Sequence, residues 1–197
     1  MGEPAAPTYH RMPRELALPT GELLRPYGPD DLDQLVDVVN DNLDHLRPWM
    51  PWAQQPVTAE SQQEFLTASM RNWDDGTDFV YGIVRDGAIL GSAGLHSRRG
   101  PGALEIGYWL RADAQGRGLV TAATRVLAEV AASYDEVHQV VICCDEANLR
   151  SAAVPRRLGF TLAAVEEREA QAAGETGWHQ IWTIDAAVVR SGWPIQA

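Results

Sequence analysis

The chain has 197 residues, enough for one good-sized domain, and its 45% apolar content can fill a core. No apolar run is long enough to span a bilayer. A formal net charge of −11 speaks against a nucleic-acid or anionic-membrane partner and suits a cationic one, or simply a well-solvated surface.

Residues 1–20 are rich in Pro and Ala and lack the basic-then-apolar order of a secretion signal, so a loose arm is expected there. Residues 21–197 are expected to form a single domain. Glu22–Arg25 reads as a short strand. Pro29-Asp30-Asp31 caps a helix that carries Leu32, Leu35, Val36 and Val39 on one face. In the patch Leu46-Arg47-Pro48-Trp49-Met50-Pro51-Trp52, two prolines forbid a long regular helix. Thr58 caps a second helix to Trp73, with Phe65, Leu66 and Met70 expected inside. Phe79–Arg85 and Ala88–His96 alternate as a hairpin about Asp86-Gly87.

Pro101-Gly102 turns into a strand at Leu104–Leu110, and Leu119–Ala132 has the apolar face of a helix. Val137–Cys144 reads as a buried central strand. Asn148 caps a helix that stops at Leu158-Gly159. Phe160–Val165 and Trp178–Ile184 complete the strands. The order β-α-α-β-β-β-α-β-α-β-β predicts an α+β fold with a mixed, mostly antiparallel central sheet flanked by helices.

Between the strand at Leu104–Leu110 and the helix at Leu119 lies Gln115-Gly116-Arg117-Gly118-Leu119-Val120-Thr121. Glycines let the backbone come close to a ligand, and the unpaired N–H groups of a first helical turn face an anion. Arg117 adds a charged fork, with solvent-exposed decoration as its other reading. The spacing is neither that of a P-loop nor of a dinucleotide fingerprint. The order strand, glycine turn, helix points to the diphosphate of coenzyme A. The only two cysteines, Cys143 and Cys144, are adjacent and suit neither a disulfide nor metal ligation, and the five histidines show no zinc spacing. No metal is expected, and a reducing cytoplasm fits.

Four segments, in order, resemble the Gcn5-related N-acetyltransferase (GNAT) superfamily. Glu105-Ile106-Gly107-Tyr108-Trp109-Leu110 is similar to its fourth strand. Gln115 to Val120 is similar to its coenzyme-binding turn. Asn148-Leu149-Arg150-Ser151 with Leu158-Gly159-Phe160 is similar to its last coenzyme-contacting helix. The early Trp/Pro patch resembles the ribosomal-protein N-terminal acetyltransferase branch (RimJ/RimL type). The resemblance spans about residues 20–185. It implies an enzyme, monomer or homodimer, that moves acetyl from acetyl-CoA to a primary amine; the net charge speaks for neither nucleic acid nor membrane as partner, and the cysteines fit a cytoplasmic place. The amine would be a protein N-terminus or a small molecule, attacking directly in a ternary complex. A coenzyme-binding regulatory or scaffold protein without turnover, and a transferase using another donor such as succinyl-CoA, stay open.

The resemblance also implies roles. The backbone of Tyr108, Trp109 and Leu110 would pair with pantetheine, a β-bulge nearby splaying two strands to admit it. Gln115, Gly116, Arg117, Gly118, Leu119, Val120 and Thr121 would hold the diphosphate. Asn148 would cap its helix, reach the pantetheine amides, or both. Glu105 is the candidate base or a carboxylate that orients a cationic substrate. Ser151 is the candidate acid at the sulfur or a hydrogen bond within its helix. Trp49, Trp52 and Trp73 would line the acceptor pocket or pack helix on sheet. Arg156 and Arg157 could reach the 3′-phosphate, and His45 and His96 could act as bases, but structural roles are open for all four. Two residues depart from the family pattern. Val120 is larger than usual, and Pro155 stands where many relatives carry a tyrosine acid.

Overall fold

The computed structural model describes Tyr9 and residues 12–193. Eight strands form one sheet: β1 (Leu16–Ala17), β2 (Leu23–Pro26), β3 (Asp78–Arg85), β4 (Ala88–His96), β5 (Ala103–Leu110), β6 (Gln139–Asp145), β7 (Thr161–Glu167) and β8 (Trp178–Asp185). Their spatial order is β1-β2-β3-β4-β5-β6-β8-β7. Every neighbouring pair is antiparallel except β5 with β6. Helices α1 (Leu32–Asn40), α2 (Leu43–Leu46), α3 (Ala59–Asp75), α4 (Leu119–Ala132), α5 (Leu149–Arg157) and α6 (Ala186–Arg190) complete the α+β architecture.

Strand alternation sorts the core into two layers. Leu104 and Ile106 of β5, with Val140 and Ile142 of β6, pack with Leu119, Ala123, Leu127 and Ala131 of α4. The alanines on that face of α4 bring the helix close to the sheet. Trp109, of opposite parity on β5, packs with the second layer, which holds Leu35, Val38 and Val39 of α1, Leu66 of α3, and Val84 and Ile89 of the hairpin. Asp86 and Gly87 both take positive φ, 51° and 79°, as a two-residue turn twisted to match its strands requires.

One pairing positions everything that follows. β5 and β6 are partners only at Ala103↔Gln139, Leu104↔Val140 and Glu105↔Val141. Beyond Glu105 the two strands part. Ile106–Leu110 and Ile142–Asp145 line the sides of a slot whose backbone groups have no partners across it. β5 keeps an unbroken register with β4. The expected bulge beside β5 is therefore absent; the register shifts lie between Ile83 and Val84 in the β3–β4 pair and between Leu162 and Ala164 in the β7–β8 pair.

Other expectations need correction. Tyr9, Met12 and Leu18 are buried, and β1 pairs with β2, so the part of the arm that is described is docked on the core; the rest of residues 1–8, with 10 and 11, lies outside the described residues. On α3 the inward line is Gln62, Leu66 and Trp73, at helical spacing. Phe65 and Met70 fall off that line and are exposed. The short elements β1, α2 and α6 carry too few residues to show a period. Leu127 lies fully buried on α4. Leu127→Ala is expected to lower stability by about 3 kcal/mol, read as a drop in the urea midpoint at unchanged slope.

Candidate active site

The glycine turn forms an open corner. Gly116 and Gly118 take φ of 73° and 76°, and a Cβ on either would meet nothing within 4 Å. Gly118 is the N-cap of α4 and supplies no side-chain cap, so the first amides of a 14-residue helix are free of one. Arg117 is exposed and donates to the Asp113 carbonyl at 3.1 Å, which folds its guanidinium back along the turn. Gln115 is held from two sides. Arg150 donates to its Oε1 at 2.7 Å, and its amide hydrogen-bonds His45 Nε2. The Gln115 side chain therefore braces the turn between α2 and α5. Leu119 is buried; Val120 and Thr121 are half-buried.

The slot lies beside β5, the strand that precedes this corner. Tyr108, Trp109 and Leu110 form its β5 wall, and Asn148 and Ser151 of α5 face it. Asn148 Oδ1 accepts from the Ser151 amide at 3.0 Å, the cap read from the sequence. Pro155 has no N–H for the Ser151 carbonyl one turn earlier. The Tyr108 hydroxyl donates to that carbonyl instead, at 3.2 Å, and lies 3.0 Å from Ser151 Oγ. Burial raises the Tyr108 pKa, so its proton stays in place. Arg156 is stacked over Trp182 at 5.2 Å.

On the opposite face of the sheet the slot opens into a cleft of about 1000 Å³. Trp49 and Trp52 line it, Trp52 packing edge-on against Trp109 with centroids 6.1 Å apart. Trp73 does not join them. It packs against Tyr81 and Phe79 at 4.8 and 5.3 Å in the larger core layer, so its expected place in the acceptor wall is corrected. The end of β7, at Glu166, and the β7–β8 connection, with Arg168, Glu169 and Glu175, form the far wall. The connection meets the near wall where the Gly174 amide donates to the Pro48 carbonyl at 2.9 Å. A Cβ at residue 174 would lie 2.6 Å from that oxygen, so only glycine fits the bridge.

Glu105 sits at the fork of the slot, 6% exposed. Arg98 Nε and Arg99 Nε donate to its two oxygens at 3.0 and 2.6 Å. Burial alone would raise its pKa, but the hydrogen bonds and charges of the two arginines outweigh burial and hold the carboxyl below the ordinary range. A carboxylate so clamped is a poor proton acceptor, which counts against the expected base role. Arg99 also donates to Cys143 Sγ. Burial, with the Glu105 charge, pushes the Cys143 thiol up to about 12, and burial raises Cys144 as well, so neither supplies a thiolate.

Sequence reasoning passed over two features of this cleft. Nothing local in Arg98 and Arg99 announces that they meet a buried carboxylate. The partner of His96 was also missed: its Nδ1 lies 2.9 Å from Asp78 Oδ1. Among the described residues no group of three or more His, Cys, Asp or Glu could hold a metal ion, and no helix is long and apolar enough to cross a membrane.

A family model for the acetyltransferase (GNAT) domain matches residues 23–161. A candidate ribosomal N-acetyltransferase of Bacillus subtilis (strain 168), YdaF, is 32% identical over 139 residues, 70% of this chain and 76% of that protein. Among solved structures, the ribosomal L7/L12 alpha-N-protein acetyltransferase RimL in complex with coenzyme A superposes with a TM-score of 0.79 at 22% identity, covering 87% of this chain and 97% of that one. The microcin C7 self-immunity acetyltransferase MccE, in complex with acetyl-CoA and AMP, gives 0.75 at 24% identity, over 83% and 92%.

The Glu105 clamp has a pH signature. Its depressed folded pKa stabilises the fold above the unfolded value of about 4.3. That stabilisation is lost as pH falls through the folded pKa. Glu105→Gln is expected to cost about 2 kcal/mol at pH 7. The gap to wild type should close as pH drops below about 4, measured by urea midpoints across pH.

Proposed function

Because the chain belongs to the acetyltransferase (GNAT) family, we propose that it transfers acetyl from acetyl-CoA to the α-amine of a protein N-terminus, within a ternary complex. The observation that carries this reading is the continuity of one seat. The open glycine corner at the start of α4 follows β5, the strand that lines the slot left where β5 and β6 part, and Arg150 of α5 ties it to the helix on the other side through Gln115. A diphosphate needs donors with room in front of them, and the corner offers both. Pantetheine carries amides, and the parted edge of β5 offers unpaired backbone groups.

The residues divide the work accordingly. The amides of Gly116 to Thr121 hold the diphosphate, with Arg117 beside them and Gln115 bracing the turn. The backbone of Tyr108, Trp109 and Leu110 and the amide side chain of Asn148 hold pantetheine. Ser151, anchored by Tyr108, offers its hydroxyl to the sulfur. When bound, acetyl-CoA supplies a thioester whose acyl carbon takes the amine as the carbon–sulfur bond breaks. No metal enters. Trp49 and Trp52 give the acceptor aromatic walls, which suit a cation or an apolar side chain beside the amine. An α-amine has a pKa of about 7.7–8.0 against about 10.4 for lysine, so it is far more often neutral near pH 7. Alignment then supplies much of the rate. The naming of YdaF and of RimL for ribosomal proteins supports a protein N-terminus as acceptor. We place the enzyme in the cytoplasm, as a monomer or homodimer, without nucleic acid.

Thiol release from acetyl-CoA tests this with two peptides of one sequence that contains an internal lysine, one with a free N-terminus and one blocked. Release with the free peptide alone is expected. Release with the blocked peptide would move the acceptor to lysine. Gly118→Trp would fill the open corner and is expected to abolish the calorimetric signal of acetyl-CoA binding while far-UV circular dichroism stays unchanged. Retained binding would place the diphosphate elsewhere.

A further inference from the structure

His96 ends β4 and stands in register between Asp78 of β3 and Glu105 of β5. Its side chain enters the cleft on the acceptor face of the sheet. The hydrogen bond from Nδ1 to Asp78 uses one ring nitrogen as donor, which leaves Nε2 as the acceptor. Nε2 points over bare backbone. A Cβ at Gly94 would stand 3.2 Å from it and a Cβ at Gly107 3.3 Å, so only two glycines make room at this nitrogen. Gly107 is the second residue of β5 past Glu105, where the strand has just left β6. The free nitrogen therefore sits at the mouth of the slot.

Other groups in the cleft serve less well. Glu105 is held by two arginines, and the Cys143 thiol keeps its proton. His179 Nε2 lies 4.0 Å from Asp145 and 3.8 Å from Glu175, beyond hydrogen-bond range of either, so nothing fixes its tautomer. Asp78 on β3 bonds His96 and Glu105 on β5 is its register partner; Arg98 and Arg99 in the turn after β4, Cys143 and Asp145 on β6, and the acidic and basic side chains at the end of β7 and in the β7–β8 connection line the same cleft. The bond to His96 is the main cause that holds the Asp78 carboxyl below its ordinary range, so Asp78 stays an acceptor for the Nδ1 proton.

We propose that His96 is the proton acceptor for the incoming amine and that Asp78 is its positioning residue. The assignment rests on the N-acetyltransferase reading above. The acceptor arrives as an ammonium with three protons and leaves as an amide with one. His96 Nε2 takes the first proton and frees the nitrogen lone pair. The carbon–nitrogen bond then forms and the carbon–sulfur bond breaks, its electron pair leaving with sulfur. The second proton ends on that sulfur as the thiol, and His96 returns the first to water.

The test is kcat/KM against pH with a free-N-terminus peptide, beside calorimetry of acetyl-CoA. His96→Gln is expected to lower kcat by about 100-fold or more, to flatten the acid limb of the profile, and to leave acetyl-CoA affinity unchanged. Asp78→Asn is expected to shift the acid limb with a smaller loss of rate, and imidazole should restore part of the activity of His96→Ala. If wild type turns over and His96→Gln keeps both its rate and its acid limb, His96 is overturned alone. If wild type binds acetyl-CoA and acetylates no amine, the transferase reading falls and takes the assignment with it.

Discussion

The fold turns on how soon β5 and β6 stop being partners. Three residue pairs hold them together, and after Glu105 each strand goes its own way. A sheet interior does not leave backbone donors and acceptors unmatched without a use for them. The antiparallel strands on either side carry the cost: β4 holds β5 in register throughout and β8 holds β6 along its whole length. Both walls of the slot are thus fixed by their outer neighbours, and the gap can stay open in the middle of a close-packed domain.

The fork is also where charge is concentrated. Glu105 lies at the last shared pair, buried, and is neutralised by arginines that approach from the turn after β4. Removing a carboxylate from water at such a place requires partners of this kind. The arrangement ties the turn at Arg98 and Arg99 to the root of the slot and, through Arg99, to Cys143 on β6. Glu105 thereby belongs to the frame of the site, and His96, opposite it on β4, is left with a ring nitrogen facing the space between the glycines.

Much of this was legible because the signals were local. Asp86-Gly87 marks its turn by φ, Gly118 and Ala132 bracket α4 through helical period, and Asn148 announces α5 by its cap. For Trp73 the sequence left two places open, the acceptor wall and helix-on-sheet packing, and the core took it. Indole composition says nothing about direction, and a helix turn decides whether a ring meets Phe79 or the cleft. The Asp78–His96 pair was hidden for a sharper reason. Counting back from the turn, Arg85↔Ala88 and Val84↔Ile89 would bring Asp78 opposite Leu95. The extra residue at Leu90 shifts the register, Ile83 faces Gly91, and Asp78 meets His96. A bulge leaves little trace in composition, yet every pair beyond it depends on it. The clamp on Glu105 was likewise unreadable, since Arg98 and Arg99 look like any basic turn until a buried carboxylate is known to lie beside them.

Pro155 and Tyr108 carry a consequence of their own. The ring that deletes one helical N–H leaves the Ser151 carbonyl to a phenol from a strand across the slot. The two positions form a thermodynamic couple. Restoring an amide proton at 155 would give that oxygen a second donor, while losing the phenol would remove the side-chain donor that replaces the missing N–H. Helix α5 is thereby riveted to β5 at one point, and the aperture between them has a spacing set by the length of a tyrosine.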